Sequence, residues 1–561
     1  MNVTLAYRGH SDVADAGGRQ VFRLVPNLAR DPVAFDSPLL KPLRFREAMS
    51  ALHDVVINDL RYVPRDKTAY EQWKQGETGR VAAVRQQGYK AALAEIEARR
   101  GSPLPPDFER QFHQLRKKYW NARVTYSNYL LRHDPDLWRK LMPCDPVITV
   151  ADDVAFFECF SADESSYGCL TVDREDGFGK SDSVQLGTTN VDYSWDLYHH
   201  FQSLRSYRQT RFVVDPQGFS VATTGTADLR EEKIDLPKGW LRGFMTLQSA
   251  MTMPGIRLTL PREVVYSILA FLKRHKPARS PRAIRFELVP GKPPEVVLEP
   301  WEQRIVSHGP AYDGPPIEPV RVWGTRRLLV LARLLPLAER FDVHLLGTGL
   351  PHFWVARMGE MRLTLGLSGW TTNDWTRGSA IDLLAPPAAP SPDLVNNVAA
   401  ILREKRAAQL SEIQLAVAAE SNVVAAALRE LAQSGQAIHD LTSGAYRWRQ
   451  IMPKALGEAE VGPEHPELAG ARIIMSRNRA DLTSREEAPR GGYVLCGAVE
   501  NDPVEVLVDA DGRIRRGKCV CGYFRRFGLR NGPCRHMLAL RWRSSAKALE
   551  AMRASDWYNR M

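Results

Sequence analysis

The sequence predicts a multidomain α+β protein with a helical N-terminal region, a β-rich middle, a compact helix-and-hairpin unit and a small C-terminal module of sheet plus helix. Three observations support this prediction. Strong helix formers dominate residues 44–138, whereas short alternating runs typical of strands occupy residues 145–384. Three cysteines and a histidine then crowd together near the C-terminus. With 561 residues, the chain is long enough for three or four domains with separate cores.

The composition is that of a soluble globular protein. Apolar residues make up 44% of the chain and charged residues 25%. The N-terminus lacks the basic and apolar regions of a secretory signal, and no apolar run approaches the length of a membrane span. The seven cysteines are an odd number and partly clustered, which favours reduced thiols and a metal over disulfides. We therefore expect a cytoplasmic location.

The positive charge is concentrated at the C-terminal end. The formal net charge is +11, and residues 470–561 contain 18 Lys and Arg against 10 Asp and Glu, a net charge of +8. A basic patch is typical of nucleic-acid binding. A solvated face that only maintains solubility explains the same excess equally well.

Composition and turn residues divide the chain into segments. Residues 1–144 form the N-terminal, mainly helical region, with a strand-like or irregular start over residues 1–40. Residues 145–384 form the β-rich region, in which two helices, Arg262 to His275 and Arg326 to Arg340, each precede a pair of strand-like runs. This order suggests a duplicated helix and hairpin, a hypothesis that the weak identity between the copies leaves open. A proline-rich linker follows at residues 385–392.

Residues 393–452 show three helices followed by a hairpin, an order that resembles a winged helix-turn-helix domain. Ser411 and Ser421 are expected to cap the second and third helices. The third helix is rich in Ala and Val and offers few side chains that could read base edges, so a structural or protein-contacting role is favoured. Residues 453–470 are predicted to be a second linker, and residues 471–561 the C-terminal module.

Four residues of the C-terminal module have the spacing of a metal site. Cys519 and Cys521 form a C-x-C pair, and Cys534 and His536 form a C-x-H pair twelve residues later. Side chains at i and i+2 of an extended strand point to the same face, so the first two cysteines can reach one ion. Three thiolates and one imidazole are a typical ligand set for structural Zn²⁺. Catalytic zinc usually keeps an open coordination position, and this set leaves none.

The C-x-C and C-x-H pattern, followed by an apolar helix face over residues 538–552, resembles the SWIM zinc-finger family. The resemblance covers about residues 471–540 and includes all four metal positions. It implies a module that binds DNA or proteins. The overall layout is similar to large bacterial SWIM proteins found beside MoxR-type AAA+ ATPases and von Willebrand-type proteins, which implies such a protein as the partner.

Basic residues surround the four ligands, and aromatic residues lie among them. Two further arginines belong to the predicted hairpin. Together they are the candidate nucleic-acid contacts: Arg516, Lys518, Arg525, Arg526, Arg530, Arg535, Arg447 and Arg449. The aromatic residues Tyr523, Phe524 and Phe527 could stack on bases or pack beneath the metal site, and the sequence does not separate these alternatives.

Three functions compete. The first is a non-enzymatic zinc-binding adaptor that engages a protein partner, and the second is a DNA- or RNA-binding protein that uses the basic surface. The third is an enzyme with a site in the β-rich region, which we place last because the sequence shows no nucleophile motif, nucleotide loop or second metal cluster. We predict that the protein is not an enzyme.

Overall fold

The computed structural model describes residues 4–57, 146–191, 201–214, 230–370, 375 and 390–553, with short gaps inside several ranges, and six positions between 111 and 129. The chain forms two compact units, residues 59–142 and the remainder. In the first unit the six described positions are helical, while the predicted helical segment over residues 80–100 lies outside the described residues. The larger unit contains every feature discussed below.

The larger unit starts with strands and a helix. They are β1 (Thr4–Arg8), β2 (Asp12–Ala16), β3 (Arg19–Leu24), β4 (Ala34–Leu39) and α1 (Pro42–Val56). Pro42 lies in the first turn of α1, where its missing N–H costs no helical hydrogen bond.

The β-rich region contains fifteen of the described strands. They are β5 (Val147–Val150), β6 (Val154–Phe160), β7 (Ser166–Asp173), β8 (Ser183–Gln185), β9 (Gly187–Asn190), β10 (Thr210–Val214), β11 (Arg230–Ile234), β12 (Ile256–Pro261), β13 (Ile284–Glu287), β14 (Glu295–Leu298), β15 (Gln303–Val306), β16 (Val320–Val322), β17 (Arg340–Leu345), β18 (His352–Met358) and β19 (Met361–Leu367). Its helical segments are α2 (Arg174–Gly177), α3 (Lys238–Met251), α4 (Arg262–Arg274) and a 3₁₀ helix (Arg327–Leu334).

These strands form an eight-stranded antiparallel sheet and three smaller sheets. The large sheet has the order β12-β17-β18-β19-β7-β6-β5-β9. A five-stranded sheet, β2-β3-β10-β4-β8, contains one parallel pair, β3 and β10. Strands β15-β14-β13-β16 form a four-stranded sheet, and β1 pairs with β11.

Strand β6 shows why the centre of the large sheet is continuously apolar. All seven of its residues are buried. Phe157 stacks edge-on against Phe45 of α1, whereas Phe160 packs against Trp240 and Phe244 of α3. Because successive side chains of a strand point to opposite faces, helices on both faces bury every position.

The helix-and-hairpin unit follows the proline-rich segment. Its elements are α5 (Pro392–Lys405), β20 (Ala407–Ala408), α6 (Leu410–Val417), α7 (Ser421–Gln433), β21 (Ala437–Asp440) and β22 (Ala445–Trp448), and its sheet has the order β20-β22-β21. The structure corrects both predicted caps. Gln409 caps α6 in a capping box with Glu412, and Glu420 precedes α7, so Ser421 is already helical.

The C-terminal module consists of a small sheet and three helices. Its elements are α8 (Pro466–Ser476), β23 (Ala480–Glu487), β24 (Tyr493–Val499), β25 (Asp502–Val508), β26 (Ile514–Cys519), α9 (Gly522–Phe527) and α10 (Arg535–Arg553). The four strands pair in chain order and are antiparallel. Helix α8 begins inside the segment predicted to be a linker and packs against α10.

The cores follow this division only in part. The C-terminal module and the helix-and-hairpin unit each bury a cluster of their own. However, Ile438, Leu441 and Ile451 of the hairpin and its following segment belong to the core of the β-rich region. The chain is thus a mixed α/β protein with several sheets, as the sequence predicts. No helix within the described residues combines the length and apolar character that crossing a bilayer requires.

Candidate metal centre

Four potential ligands meet where β26 ends and the last two helices begin. Cys519 is the last residue of β26, Cys521 directly precedes α9, Cys534 directly precedes α10, and His536 lies in the first turn of α10. Their ligand atoms all lie within 4.8 Å of one another. The four residues therefore form one cluster that could hold a metal ion.

Local backbone structure holds the cysteines in place. The Sγ atom of Cys521 accepts a hydrogen bond from the backbone N–H of Phe524 at 3.4 Å, so this cysteine is the N-cap of α9. The carbonyl of Cys534 accepts the first backbone bond of α10, from Leu538. Both cysteines therefore sit at helix N-termini, where the helix dipoles would help to stabilise thiolates once a metal ion displaces their protons.

Hydrogen bonds among the four side chains set their protonation. The bond with Cys534 outweighs burial and, with a bond from His536, lowers the pKa of Cys519 to about 4. The same shared proton raises the pKa of Cys534 above its usual range. The contact with Cys519 raises the pKa of His536 to about 9. These shifts favour a thiolate at Cys519 and a charged imidazole at His536 in the metal-free cluster, and a divalent ion would bind by displacing the remaining protons.

His536 is held from both sides of its ring. Its Nδ1 atom lies 3.4 Å from the Sγ atom of Cys519, and its Nε2 atom lies 3.4 Å from Oε2 of Glu500. A carboxylate on the distal nitrogen orients a ligating imidazole and fixes its tautomer. Nδ1 is therefore the nitrogen that would bind the ion, and Glu500 is its positioning partner.

Glu500 is a functional residue that the sequence analysis missed. Together with Asn501 it forms the two-residue turn between β24 and β25, and both residues have positive φ angles of 51° and 73°. This geometry is typical of the two-residue hairpin turns that match strand twist. An Asn between two strand-like runs indicates such a turn, but the contact with His536 depends on the packing of α10 against the sheet.

The donor set determines what the cluster can do chemically. Three sulfur atoms and one nitrogen fill the four positions of a tetrahedron, and such donors suit a borderline or soft ion better than Ca²⁺ or Mg²⁺. Cys519, Cys534 and His536 are buried, and Cys521 is half-buried. With an ion bound, the four protein ligands would occupy all four coordination positions and leave none for a water molecule.

The basic residues of the module differ in their partners. Lys518 pairs with Glu505 at 2.8 Å, and Arg535 pairs with Glu467 at 2.8 Å. Four exposed arginines form no ion pair with any described residue: Arg516, Arg525, Arg526 and Arg530. These four, called the α9 basic surface below, are the members of the predicted set that remain available to an anionic partner.

Two of the three aromatic residues of α9 pack against the core of the module. Tyr523 and Phe524 contact the hydrophobic core of the module, and the hydroxyl of Tyr523 donates to the carbonyl of Asn531 at 2.8 Å. The ring of Phe527 lies 5.2 Å from that of Tyr523. The packing alternative left open by the sequence therefore describes Tyr523 and Phe524, whereas Phe527 contacts Tyr523 outside that core.

The two hairpin arginines lie inside the protein. Arg447 donates to both carboxylate oxygens of Asp153, at 2.6 and 2.9 Å, and also to Asp440 at 3.2 Å. Arg449 is 1% exposed and donates to Glu158. Their guanidinium groups are already neutralised by carboxylates, so this placement removes both arginines from the candidate nucleic-acid surface.

The third helix of the same unit is also engaged within the chain. Helix α7 packs against α3, and Arg429 donates to the hydroxyl of Ser249 at 3.3 Å. In β21, Nδ1 of His439 lies 2.6 Å from the carbonyl of Met251. The helix that would enter a DNA groove in a winged-helix reader therefore has a partner in the β-rich region.

A buried carboxylate fastens the C-terminal module to the β-rich region. Asp511, in the turn between β25 and β26, accepts hydrogen bonds from the hydroxyl of Ser280 at 2.6 Å and from Nε of Arg282 at 2.8 Å. It also accepts one from the indole of Trp323 at 3.2 Å. The sequence indicates the turn but gives no sign that its carboxylate is buried.

Comparison with known proteins adds little. The sequence matches no known family profile and no curated protein. Solved structures that match part of it include the proliferating cellular nuclear antigen of Entamoeba histolytica, at 13% identity over 40% of this chain and 89% of that chain, with a TM-score of 0.27. Another is PCNA from Thermococcus kodakaraensis, at 11% identity over 40% and 90%, with a TM-score of 0.26. Such low TM-scores support no argument about fold or function.

Proposed function

We propose that the protein is a non-enzymatic zinc-binding adaptor that engages a protein partner. The observation that carries this proposal is the convergence of Cys519, Cys521, Cys534 and His536 to within 4.8 Å at the junction of β26, α9 and α10. Four protein ligands would leave the ion no open position for a substrate or a water. The ion then stabilises the module and does not act as a Lewis acid.

Zn²⁺ is the metal that this donor set fits best, and the module is of the SWIM type. Zn²⁺ accepts three thiolates and one imidazole in a tetrahedron without a ligand-field penalty. The sheet, the two ligand pairs and the apolar face of α10 follow the SWIM order of elements. The absence of a matching family profile means that this assignment rests on the ligand pattern and its setting.

A scaffold role is supported by how the modules are attached. Residues 393–452 have the element order of a winged helix, but α7 and the hairpin face the β-rich region. The C-terminal module is attached through Asp511. Elements that hold the protein together are not free to enter a groove of DNA. A partner of the AAA+ ATPase or von Willebrand type follows from the SWIM resemblance.

The adaptor proposal is tested by affinity capture of the full chain from its source cells, with and without nuclease. We expect a stoichiometric protein partner that survives nuclease treatment and is lost from a Cys534→Ser variant. Purification of that partner should then reconstitute the complex from two pure proteins. Loss of all partners on nuclease treatment would contradict the adaptor proposal and favour nucleic acid.

The alternative is a DNA- or RNA-binding protein, and one observation favours it. The α9 basic surface is exposed and unpaired among the described residues, and unpaired arginines contact phosphates well. Binding to a mixed pool of DNA and RNA should then weaken steeply as salt is raised. No retention on nucleic acid at low salt excludes this alternative.

A further inference from the structure

A cavity of about 640 Å³ lies between the C-terminal module and the β-rich region. The β-rich region contributes residues 315–320, which include three prolines, and the loop over residues 347–350. The C-terminal module contributes side chains from β23, β24, β25 and α10. This volume is that of a site for a small organic molecule.

One wall of this interface cavity is a fixed indole. The ring centroid of Trp370 lies 4.0 Å from that of Trp323, which is itself buried. Gly349 and Gly512 approach the Trp370 ring so closely that a Cβ at either position would overlap it. Because the ring is enclosed by glycines from both sides of the interface, the wall is formed before any ligand arrives.

Arg541 of α10 supplies an uncompensated charge to the cavity. Its guanidinium carbon lies 5.6 Å from the ring centroid of Trp370, and no described carboxylate lies within ion-pair distance. Asp509, whose charge acts on Arg541, accepts bonds instead from Arg515 and from the backbone of Asp511 and Arg513. Burial lowers the pKa of Arg541 to about 10, so the group remains charged at neutral pH.

Arg541 is half-buried, and a partly desolvated cation is favoured by an anion or by several hydrogen-bond acceptors beside it. Glu318 also lines the cavity, but it is exposed and forms no ion pair with Arg541. Arg485 adds a second cation, stacked 3.9 Å from the ring centroid of Tyr493. The hydroxyls of Ser544 and Ser545 complete a small polar group beside the apolar walls.

We propose that the interface cavity binds an organic carboxylate carried on an apolar or aromatic group. The carboxylate pairs with Arg541, whose planar guanidinium matches two carboxylate oxygens. The apolar group packs between Trp370 and the proline-rich wall. A free inorganic phosphate fits less well, because it would gain nothing from these walls while losing its hydration. None of the residues that line the cavity belongs to the metal cluster.

The test compares acids with their amides on the full chain by titration calorimetry. The probes are 3-phenylpropionate and its amide, and an N-acetylated dipeptide ending in phenylalanine with a free or an amidated C-terminus. We expect both acids to bind and both amides to bind about tenfold to a hundredfold more weakly, as for a lost charge-assisted pair. Tighter binding of the peptide acid identifies a protein C-terminus as the source, and tighter binding of the free acid a metabolite.

Two variants locate the site. Arg541→Gln removes the charge and should abolish the difference between acid and amide. Arg530→Gln makes the same charge change outside the cavity and should leave it intact. Metal content and thermal unfolding report whether each variant is folded. If Arg541→Gln does not fold, the comparison of acid and amide on the unmodified protein still tests whether the cavity recognises a carboxylate. Equal binding of acids and amides, no binding at millimolar concentration, or equal effects of the two variants would overturn the proposal.

Discussion

The carboxylate of Asp511 accepts a hydrogen bond from the indole Nε1 of Trp323 at 3.2 Å, across 188 residues of sequence. The same carboxylate accepts bonds from the hydroxyl of Ser280 and from the backbone and side chain of Arg282. Its side chain is fully buried. This contact joins the C-terminal module to the β-rich region and positions the walls of the interface cavity.

Replacement of Asp511 should weaken this attachment. Asp511→Ala leaves four donors without their acceptor in a buried setting, so we expect the free energy of unfolding to fall by about 2–4 kcal/mol. Chemical denaturation followed by tryptophan fluorescence measures the change. The control is Asp481→Ala, at an exposed position of β23. Equal stability of the two variants would show that the contact does not contribute.

The same carboxylate predicts an acid dependence. Burial alone would raise the pKa of Asp511, but the hydrogen bonds from Ser280, Arg282 and Trp323 outweigh it and hold the pKa below its usual range. A carboxyl group whose pKa is lower in the folded than in the unfolded protein stabilises the folded protein fully at pH values above its unfolded pKa of about 3.9. This stabilisation is lost as the pH falls through its pKa in the folded protein. The stability difference between the native protein and Asp511→Asn should therefore be constant near neutral pH and shrink below about pH 4. A difference that grows in acid would contradict the contact.

Removal of one metal ligand should release the ion. Cys534→Ser removes a buried donor, so we expect less than stoichiometric zinc by elemental analysis and loss of the C-terminal fold, because ion binding and folding of such modules are linked. Cys496→Ser, a half-buried cysteine of β24 outside the cluster, should keep one zinc per chain. Cobalt substitution adds a spectroscopic check, since a tetrahedral thiolate site gives intense charge-transfer absorption. Unchanged zinc in Cys534→Ser contradicts the ligand assignment.

The positioning role of Glu500 has its own test. Glu500→Gln keeps the shape of the side chain but removes the charge beside Nε2 of His536, and loss of a group that orients a metal ligand weakens metal binding about 10-fold to 100-fold. Competition with a chelator of known affinity measures the change. Glu505→Gln removes an equal charge from an exposed carboxylate paired with Lys518, and its metal affinity should not change. A similar loss in both variants would show a general charge effect and no specific role.

The arginines should separate stability from nucleic-acid binding. Arg447→Ala leaves Asp440 buried without its main cation, so we expect the free energy of unfolding to fall by about 3 kcal/mol.

The double variant Arg525→Ala and Arg526→Ala should not lower the free energy of unfolding. If the protein binds nucleic acid, the double variant should weaken binding and reduce the slope of log affinity against log salt by about 2. If Arg447→Ala weakens nucleic-acid binding and the double variant does not, the binding surface lies on the hairpin instead.

Local pattern was enough to predict the parts of this protein that depend on neighbours in the chain. The strand-like runs of the middle region and the two ligand pairs appear in the structure where spacing indicated them. Cys519 and Cys521 are two residues apart, and Cys534 and His536 likewise. Each pair is therefore brought together by local backbone geometry alone. The sequence thus predicted the metal cluster, but not how the module that contains it packs against the β-rich region.

Contacts between distant segments decided the rest. Nothing near Arg447 or Arg449 in the sequence indicates that Asp153 and Glu158 will neutralise them, nor that Asp511 will lie beneath Trp323. From the charge pattern alone we predicted that these arginines are exposed, because the pattern carries no information on which distant residues pack against them. Whether a charged side chain faces water or a buried partner is set by tertiary packing, since the cost of desolvation is met only when the distant partner is in place. The residues that could bind metal were therefore predictable from the sequence. The residues that hold the modules together and form the cavity were identified only from the tertiary structure.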